Sequence, residues 1–156
     1  MLSFGSLDTA IALCCSFVLS IYGLANSLCL PSEYRGTLIV EVKCKNSEGR
    51  VQAYLYSAPT YWLKTDPNTQ RITRANINQN IATIVFKDIP YGQYALSLLH
   101  DMNMNNDMDY NLVGMPTEGW GFSNKRPPVL YKPSWQECSF SISSPTKMFN
   151  VSMTYL

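Results

Sequence analysis

Acidic and amide side chains recur at alternate positions in one segment of the sequence, residues 100–124. These positions are Asp101, Asn103, Asn105, Asp107, Asp109 and Asn111. A Ca²⁺ ion takes about six to eight oxygen ligands, and alternate side chains of a loop can converge on one such ion. The spacing therefore predicts a Ca²⁺-binding loop, in which residue 107 contributes its backbone carbonyl oxygen. The alternative is that these side chains cap turns by bonding to their own backbone.

The segment departs from a helix–loop–helix calcium site at two positions. Asn106 stands at the sixth position, where Gly is usual, and Leu112 stands at the twelfth, where a bidentate Glu is expected. Asn tolerates the left-handed backbone conformation better than most residues do. We therefore expect a shorter loop on a β-scaffold, with a weak affinity on the order of 10⁻⁴–10⁻³ M.

The sequence contains a single histidine, His100, from which an enzymatic mechanism would have to start. Its strand parity groups it with Tyr94, Leu96 and Leu98, so we expect a buried, hydrogen-bonded histidine with a structural role. The alternative is a general base that works with neighbouring carboxylates. Neither a GxSxG nucleophile motif nor a second histidine that could activate Cys138 is present.

The elements that must position this segment show an apolar period of two, which indicates β-strands. Predicted strands cover residues 36–44, 51–56, 81–87, 93–100, 137–142 and 149–155. The first two are predicted to form a hairpin through the polar turn at residues 46–49, and residues 57–80 are expected to be irregular. Because crossover helices are lacking, the pattern predicts an all-β fold, an antiparallel Greek-key β-sandwich of about seven strands.

The N-terminal segment, residues 1–27, is predicted to be a signal peptide. An apolar run at residues 9–25 is followed by the small residues Ala25 and Ser27. Because Asp8 precedes the run and no Lys or Arg does, an uncleaved membrane anchor is the alternative. We expect residues 28–156 to form one exported domain, periplasmic or extracellular. Loss of Asp8 would leave 10 acidic and 12 basic residues, a balance that predicts no nucleic-acid partner.

Three cysteines remain in the predicted mature chain: Cys29, Cys44 and Cys138. An oxidising compartment favours a disulfide, and strand parity favours the pairing of Cys44 with Cys138. The alternative is that they are small buried apolar residues. A zinc site is not predicted, since the sequence lacks the CxxC spacing and has one histidine.

Several motifs occur in a specific order along the chain: Pro-x-Gly-x-Tyr at residues 90–94, His-Asp-x-Asn-x-Asn at 100–105, and Gly-Met-Pro-x-Glu-Gly-Trp-Gly-Phe-Ser-Asn at 114–124. Together with the strand pattern from residue 36 to 155, they resemble the domain of unknown function 2141 family. The resemblance implies an exported bacterial protein of unsettled role and supplies no catalytic residue. Within these motifs we expect Gly114, Gly119 and Gly121 to fix backbone conformations and Glu118 to reach back to the ion. In architecture alone, the predicted sandwich resembles prealbumin-like and carboxypeptidase-regulatory-like modules.

Three functions are compatible with these residues. The first is a non-enzymatic binding or accessory module, rigidified by Ca²⁺, that presents residues 100–124 to a protein or glycan partner. The second is a small periplasmic metal-assisted hydrolase or lyase that uses His100. The third is a carbohydrate-binding module in which Trp120 or Trp135 stacks on a sugar, although such aromatic residues also close the ends of small sandwiches. Membrane contact is expected only through an uncleaved N-terminal segment.

Overall fold

The alternating apolar segments form strands that are divided between two sheets. A computed structural model describes residues 34–64, 70–124 and 131–156, and the predicted signal segment lies outside them. The described strands are β1 (Arg35–Lys43), β2 (Arg50–Tyr56), β3 (Gln70–Asn76), β4 (Ile81–Pro90), β5 (Gly92–Asp101), β6 (Gly119–Phe122), β7 (Ser139–Ile142) and β8 (Thr146–Ser152). A 3₁₀ turn (Pro59–Tyr61) and a single-turn helix α1 (Trp135–Cys138) accompany them. In these ranges, no helix is long and apolar enough to cross a membrane. The prediction of an all-β fold is confirmed.

Sheet 1 has the strand order β4-β1-β8, and sheet 2 has the order β3-β2-β5-β6, with β7 also pairing with β5. Every pairing between these strands is antiparallel except that of β1 with β8, which is parallel. The prediction of a wholly antiparallel sandwich is therefore wrong at β8. The chain leaves β7 in sheet 2 and crosses to sheet 1 before β8 begins. No hairpin therefore fixes the direction of β8 relative to β1.

The predicted hairpin between the first two strands is also wrong. Strand β1 pairs with β4 and β8, whereas β2 pairs with β3 and β5, so the polar turn at residues 46–49 leads from one sheet to the other. The turn at Pro90–Gly92 likewise joins β4 in sheet 1 to β5 in sheet 2. An alternating strand has the same apolar face whether its neighbour in sequence lies beside it or opposite it, so the pattern does not distinguish the two arrangements.

The main core lies between the inner faces of the two sheets. Strand β1 contributes Leu38, Val40 and Val42, and sheet 2 contributes alternate residues such as Val51 and Leu96 to the same cluster. Each of these side chains is fully buried. Burying a side chain of this size stabilises the fold by roughly 1.5–3 kcal/mol, so this layer holds the two sheets together.

A second, smaller cluster covers the outer face of sheet 2. It contains Tyr56, Ala95, Trp135 and Cys138, with Trp62 packed against it. Helix α1 begins with a capping box, in which the Ser134 hydroxyl accepts from the Glu137 amide and the Glu137 carboxylate accepts from the Ser134 amide. On β5, Ala95 belongs to this cluster and Leu96 to the main core, so both faces of the strand are covered at that point.

Two strands were not predicted, and the bounds of the last two were wrong: β7 begins at Ser139, not at residue 137, because residues 137 and 138 belong to helix α1. Strand β3 lies in the segment expected to be irregular, and β6 lies in the expected central loop. Strand β3 is a polar edge strand and β6 has Gly at two of its four positions, so neither shows the apolar alternation of a half-buried strand. Strand β8 begins at Thr146, three residues before the predicted start at 149, and ends at Ser152.

Candidate metal centre and adjoining cleft

Asp101 is the last residue of β5 and pairs across the sheet with Arg50. It is fully buried. Its Oδ2 atom accepts hydrogen bonds from Gln52 Nε2 at 2.8 Å and from the Asn106 amide at 3.0 Å, and Arg50 Nη2 lies 3.4 Å away. Its Oδ1 atom is buried and accepts no hydrogen bond from the described residues. A buried carboxylate oxygen without a partner is costly, and a bound cation would remove that cost.

Glu118 stands beside Asp101 at the same end of sheet 2. It precedes β6, whose first residue, Gly119, pairs with His100 on β5. The Glu118 side chain is almost completely buried. Its Oε1 accepts from the Met102 amide at 2.7 Å, and its Oε2 accepts from the Asp109 amide at 3.3 Å. Asp101, the last residue of β5, and Glu118, the residue before β6, therefore anchor the β5–β6 loop, residues 102–118, at its two ends.

Three further predicted ligands converge within this loop. The carboxylate of Asp109 accepts from Asn103 Nδ2 at 2.6 Å and from Asn105 Nδ2 at 3.0 Å. The side-chain oxygens of the two Asn residues accept from backbone amides two residues further on. A half-turn of each amide would present its oxygen where its nitrogen now lies, but each side chain would then give up the backbone amide from which its oxygen now accepts. Asp109, Asn103 and Asn105 could thus supply oxygens to one ion.

The structure does not place Asp107 and Asn111 in this group through their side chains. Asp107 Oδ1 accepts from the Met108 amide at 3.0 Å. Asn111 Oδ1 accepts from the amides of Val113 and Met115, so it organises a separate turn. Among the described residues, no three His, Cys, Asp or Glu side chains form a group that could hold a metal. A cation here would therefore need Asn amide and main-chain oxygens as well as carboxylates.

Asn106 adopts the backbone conformation that a cation loop usually assigns to Gly. Its φ is +73°, and its amide donates to Asp101 across the loop. Its side-chain oxygen accepts from Arg50 Nη2 at 2.7 Å. Asn is among the residues that adopt this left-handed conformation at least cost, so the exchange of Gly for Asn keeps the loop geometry.

Two residues of β2, Arg50 and Gln52, belong to the site although the sequence reasoning missed them. The alternation of β2 places both on the face that points away from the main core, together with Tyr54. That parity was available from the sequence. Their proximity to Asp101 depends on the register of β2 with β5, which joins residues 51 positions apart and leaves no local signal.

His100 occupies a closed structural position. It is fully buried, and its Nε2 lies 2.8 Å from the Glu48 carbonyl oxygen, so Nε2 donates. Its Nδ1 then accepts from the Tyr155 hydroxyl at 2.7 Å, and the same hydroxyl accepts from the Lys45 amide. Burial raises the pKa of the Tyr155 phenol, which keeps it protonated as a donor. This geometry joins β5 to the turn after β1 and to the C-terminal segment.

The three glycines of the predicted signature have different roles. Gly114 has a φ of +79° in a turn with open space around it. Gly119 and Gly121 pack closely instead: a Cβ on Gly119 would overlap the Tyr155 ring, and one on Gly121 would lie 3.1 Å from Met153 Sδ. Gly114 thus supplies backbone freedom, whereas the other two allow side chains to approach β6.

Cys44 and Cys138 do not form the disulfide that strand parity favoured. Cys44 belongs to the main core, whereas Cys138 belongs to the cluster on the opposite face of sheet 2. The parity argument failed because Cys138 ends helix α1 and precedes β7, so it does not continue that strand's alternation. Burial raises the pKa of the Cys44 thiol to about 11. Ser123 is also buried and donates to the Cys138 carbonyl oxygen, so it offers no exposed nucleophile.

A cleft adjoins the loop on the outer face of sheet 2. It consists of two cavities of about 220 and 410 Å³ that share Leu63, Met108, Trp120 and Phe122. Trp120 is half-buried and lines both cavities. Trp135 is buried, and Trp62 donates its Nε1 hydrogen to the Pro133 carbonyl oxygen, so these two rings close the outer face of the sheet. Trp120 is therefore the better placed of the predicted stacking residues.

A protein-family model described as "Uncharacterized protein conserved in bacteria (DUF2141)" matches residues 40–150. The match covers the strands from within β1 to within β8 and the whole of the candidate site. Comparisons with curated proteins and with solved structures give no match.

Proposed function

The chain belongs to the DUF2141 family of bacterial proteins, and we propose that it is an exported, non-enzymatic binding or accessory module whose β5–β6 loop is stabilised by Ca²⁺. The observation that carries the proposal is the buried Oδ1 atom of Asp101, which accepts no hydrogen bond from the described residues. A Greek-key arrangement of the prealbumin-like or carboxypeptidase-regulatory-like kind belongs to the same proposal, and the two sheets packed on one core support it.

The charge of the loop also favours a cation. Four carboxylates lie in or beside it, those of Asp101, Asp107, Asp109 and Glu118, and Arg50 is the basic side chain that contacts Asp101. A Ca²⁺ ion would take Asp101 Oδ1, one further carboxylate, that of Asp109 or of Glu118, and oxygens from the Asn side chains and the main chain. Because a hard cation prefers oxygen, this donor set suits Ca²⁺ better than a transition metal.

Thermal unfolding with Ca²⁺, with Mg²⁺ and with a chelator tests whether the native state binds Ca²⁺ at Asp101. A ligand at ten times its dissociation constant stabilises the native state by about 1.4 kcal/mol. For a unit of 125 residues this corresponds to a rise in Tm of about 5 °C. We expect the rise with Ca²⁺ for the unmodified protein and for Glu41→Gln, a control on the exposed side of β1, but not for Asp101→Asn. An equal response of all three proteins would contradict a site at Asp101.

Carbohydrate binding is a second candidate for the module's role. It is favoured by the exposure of Trp120 in a cleft that also contains Tyr54, Tyr56 and the loop residue Asn106. Sugars bind by stacking an apolar ring face on an aromatic side chain while polar groups bond their hydroxyls. A glycan panel monitored by tryptophan fluorescence tests it, with Trp120→Phe as the variant that should lose the response. If no glycan changes the fluorescence, a protein partner is the occupant to seek.

An enzymatic role for His100 is less well supported. Both ring nitrogens are hydrogen-bonded, and the side chain is fully buried away from the cleft residues. A general base must reach a substrate proton directly or through one water molecule. Turnover that His100→Gln abolishes while the fold is retained would favour the hydrolase or lyase instead.

A further inference from the structure

The β5–β6 loop carries an exposed apolar tip, residues 110–115. Leu112 and Val113 are exposed to 107% and 80% of their reference areas. Tyr110 and Met115, on either side of them, are also exposed, and Tyr131 lines the same cavity as these two residues. Exposed apolar side chains are individually common, but a contiguous set at the end of a projecting turn indicates an interaction surface.

The backbone of this tip is internally hydrogen-bonded. The Asn111 amide donates to the Met115 carbonyl oxygen at 2.9 Å, and the Gly114 amide donates to the Asn111 carbonyl oxygen at 2.9 Å. Asn111 Oδ1 accepts from the amides of Val113 and Met115 at 3.1 and 3.0 Å. Four amide groups of the turn are thus satisfied without water, and a bridge between Tyr110 and Pro116 closes its base.

This combination suits an apolar medium better than a protein groove. In a bilayer, a backbone amide without an internal partner costs several kcal/mol, and the internal bonds of Asn111, Val113, Gly114 and Met115 reduce that cost. Because Leu112 and Val113 are almost fully exposed, a bilayer interface can receive both side chains without a matching cavity. Residues 110–115 carry no charge, and tyrosines such as Tyr110 and Tyr131 favour the region between water and hydrocarbon.

We propose that the apolar tip inserts Leu112 and Val113 into the interface of a lipid bilayer. The contact is distinct from any N-terminal anchor, because it is made by the loop on sheet 2. Asp107 and Asp109 lie just before the tip, so a zwitterionic surface suits it better than an anionic one. The inference does not require the Ca²⁺ site, since the hydrogen bonds that hold the turn come from Asn111, Gly114 and Met115.

Leu112→Trp in the full chain provides a local test. Vesicles of phosphatidylcholine, with and without brominated acyl chains, report whether an added tryptophan meets hydrocarbon, and the three native tryptophans give a common background. We expect bromine to quench the fluorescence added at position 112. The matched control is Met148→Trp on β8, where the native side chain is 57% exposed, and its added fluorescence should not be quenched.

A second substitution measures the contribution of Val113. In the Leu112→Trp protein, Val113→Asn should raise the lipid concentration at half-maximal quenching on the order of tenfold, because one buried apolar side chain is lost. Equal fluorescence with plain and brominated vesicles would overturn the proposal. So would a fluorescence shift that depends on protein concentration and not on lipid, because it would identify a second copy of the chain as the occupant.

Discussion

Replacing Arg50 with Met tests whether Asp101 is built to hold a second positive charge. Arg50 Nη2 lies 3.4 Å from Asp101 Oδ2 and donates to Asn106 Oδ1 at 2.7 Å and to the Met104 carbonyl oxygen at 3.3 Å. Met retains the apolar stem and removes the guanidinium. Without it, the buried Asp101 carboxylate keeps Gln52 and the Asn106 amide as donors but loses its ion pair.

The expected loss of stability follows from the distance between the two charges and from the solvent exposure of Arg50. Two unit charges 3.4 Å apart attract by about 5 kcal/mol at an effective dielectric constant of about 20. Arg50 retains 22% of its side-chain exposure, and desolvation opposes the attraction, so we expect a net loss of about 2–3 kcal/mol in the free energy of unfolding. For the 125-residue unit this lowers Tm by about 8–12 °C.

Calcium should reverse most of this loss. In saturating Ca²⁺ the bound ion would replace the missing charge, so the deficit of Arg50→Met in the free energy of unfolding should fall to about 1 kcal/mol. The rise in Tm on adding Ca²⁺ should then be larger for Arg50→Met than for the unmodified protein. The control is Arg71→Met, which removes an arginine that donates to two main-chain oxygens of β4. Its deficit should be equal with chelator and with Ca²⁺. A deficit of Arg50→Met that is likewise unchanged by Ca²⁺ would refute the reasoning and leave Arg50 as the counter-ion of Asp101.

Three other substitutions test the supports of the site, each by urea unfolding. Tyr155→Phe removes the donor to His100 and the acceptor of the Lys45 amide, so it should cost about 2–3 kcal/mol; a loss below 0.5 kcal/mol would contradict the buried network. Gly119→Ala forces a methyl group into the Tyr155 ring and should cost about 1–3 kcal/mol; a neutral result would contradict this packing. Burial raises the pKa of Cys44 from 9.0 to about 11. The protonated thiol therefore stabilises the fold below pH 9, and this contribution is lost as the pH rises through 11. Cys44→Val should lose less stability over that pH range than the unmodified protein.

Much of the fold could be predicted because burial on one face leaves a local signal. Strands β1, β2, β4 and β5 were predicted from their alternation, and the turn at Pro90–Gly92 was identified by its residue types. Sheet membership could not be predicted, because it depends on pairings between distant segments. The parallel partner of β1 is β8, more than 100 residues further on, and the intervening pattern does not encode that contact.

The candidate site, like the fold, could be predicted only where the signal is local in the sequence. The spacing of Asp and Asn identified the loop, and Glu118 was expected to reach back to it. Arg50 and Gln52 were not identified, because they come near Asp101 only through the β2–β5 register. Asn111 was expected as a ligand on spacing alone, but its oxygen accepts from two amides of the tip. Period-two spacing describes where side chains can converge, whereas the backbone donors near each oxygen decide how it is used.

A single connection, the β5–β6 loop, supplies the candidate cation ligands, one wall of the cleft and the apolar tip. Asp101 and Glu118 hold its two ends on neighbouring strands, and Asp109 contacts both Glu118 and the Asn side chains. The Thr117 amide also donates to the Asp109 carbonyl oxygen, which ties the base of the tip to the same residue. A cation at Asp101 and Asp109 would therefore restrict the motion of Met108 in the cleft wall and of the tip beyond it. Ca²⁺ should then protect the backbone amides of residues 111–115 from hydrogen exchange, although none of them would be a ligand. Protection confined to residues 101–109 would mean that the tip moves independently of the ion.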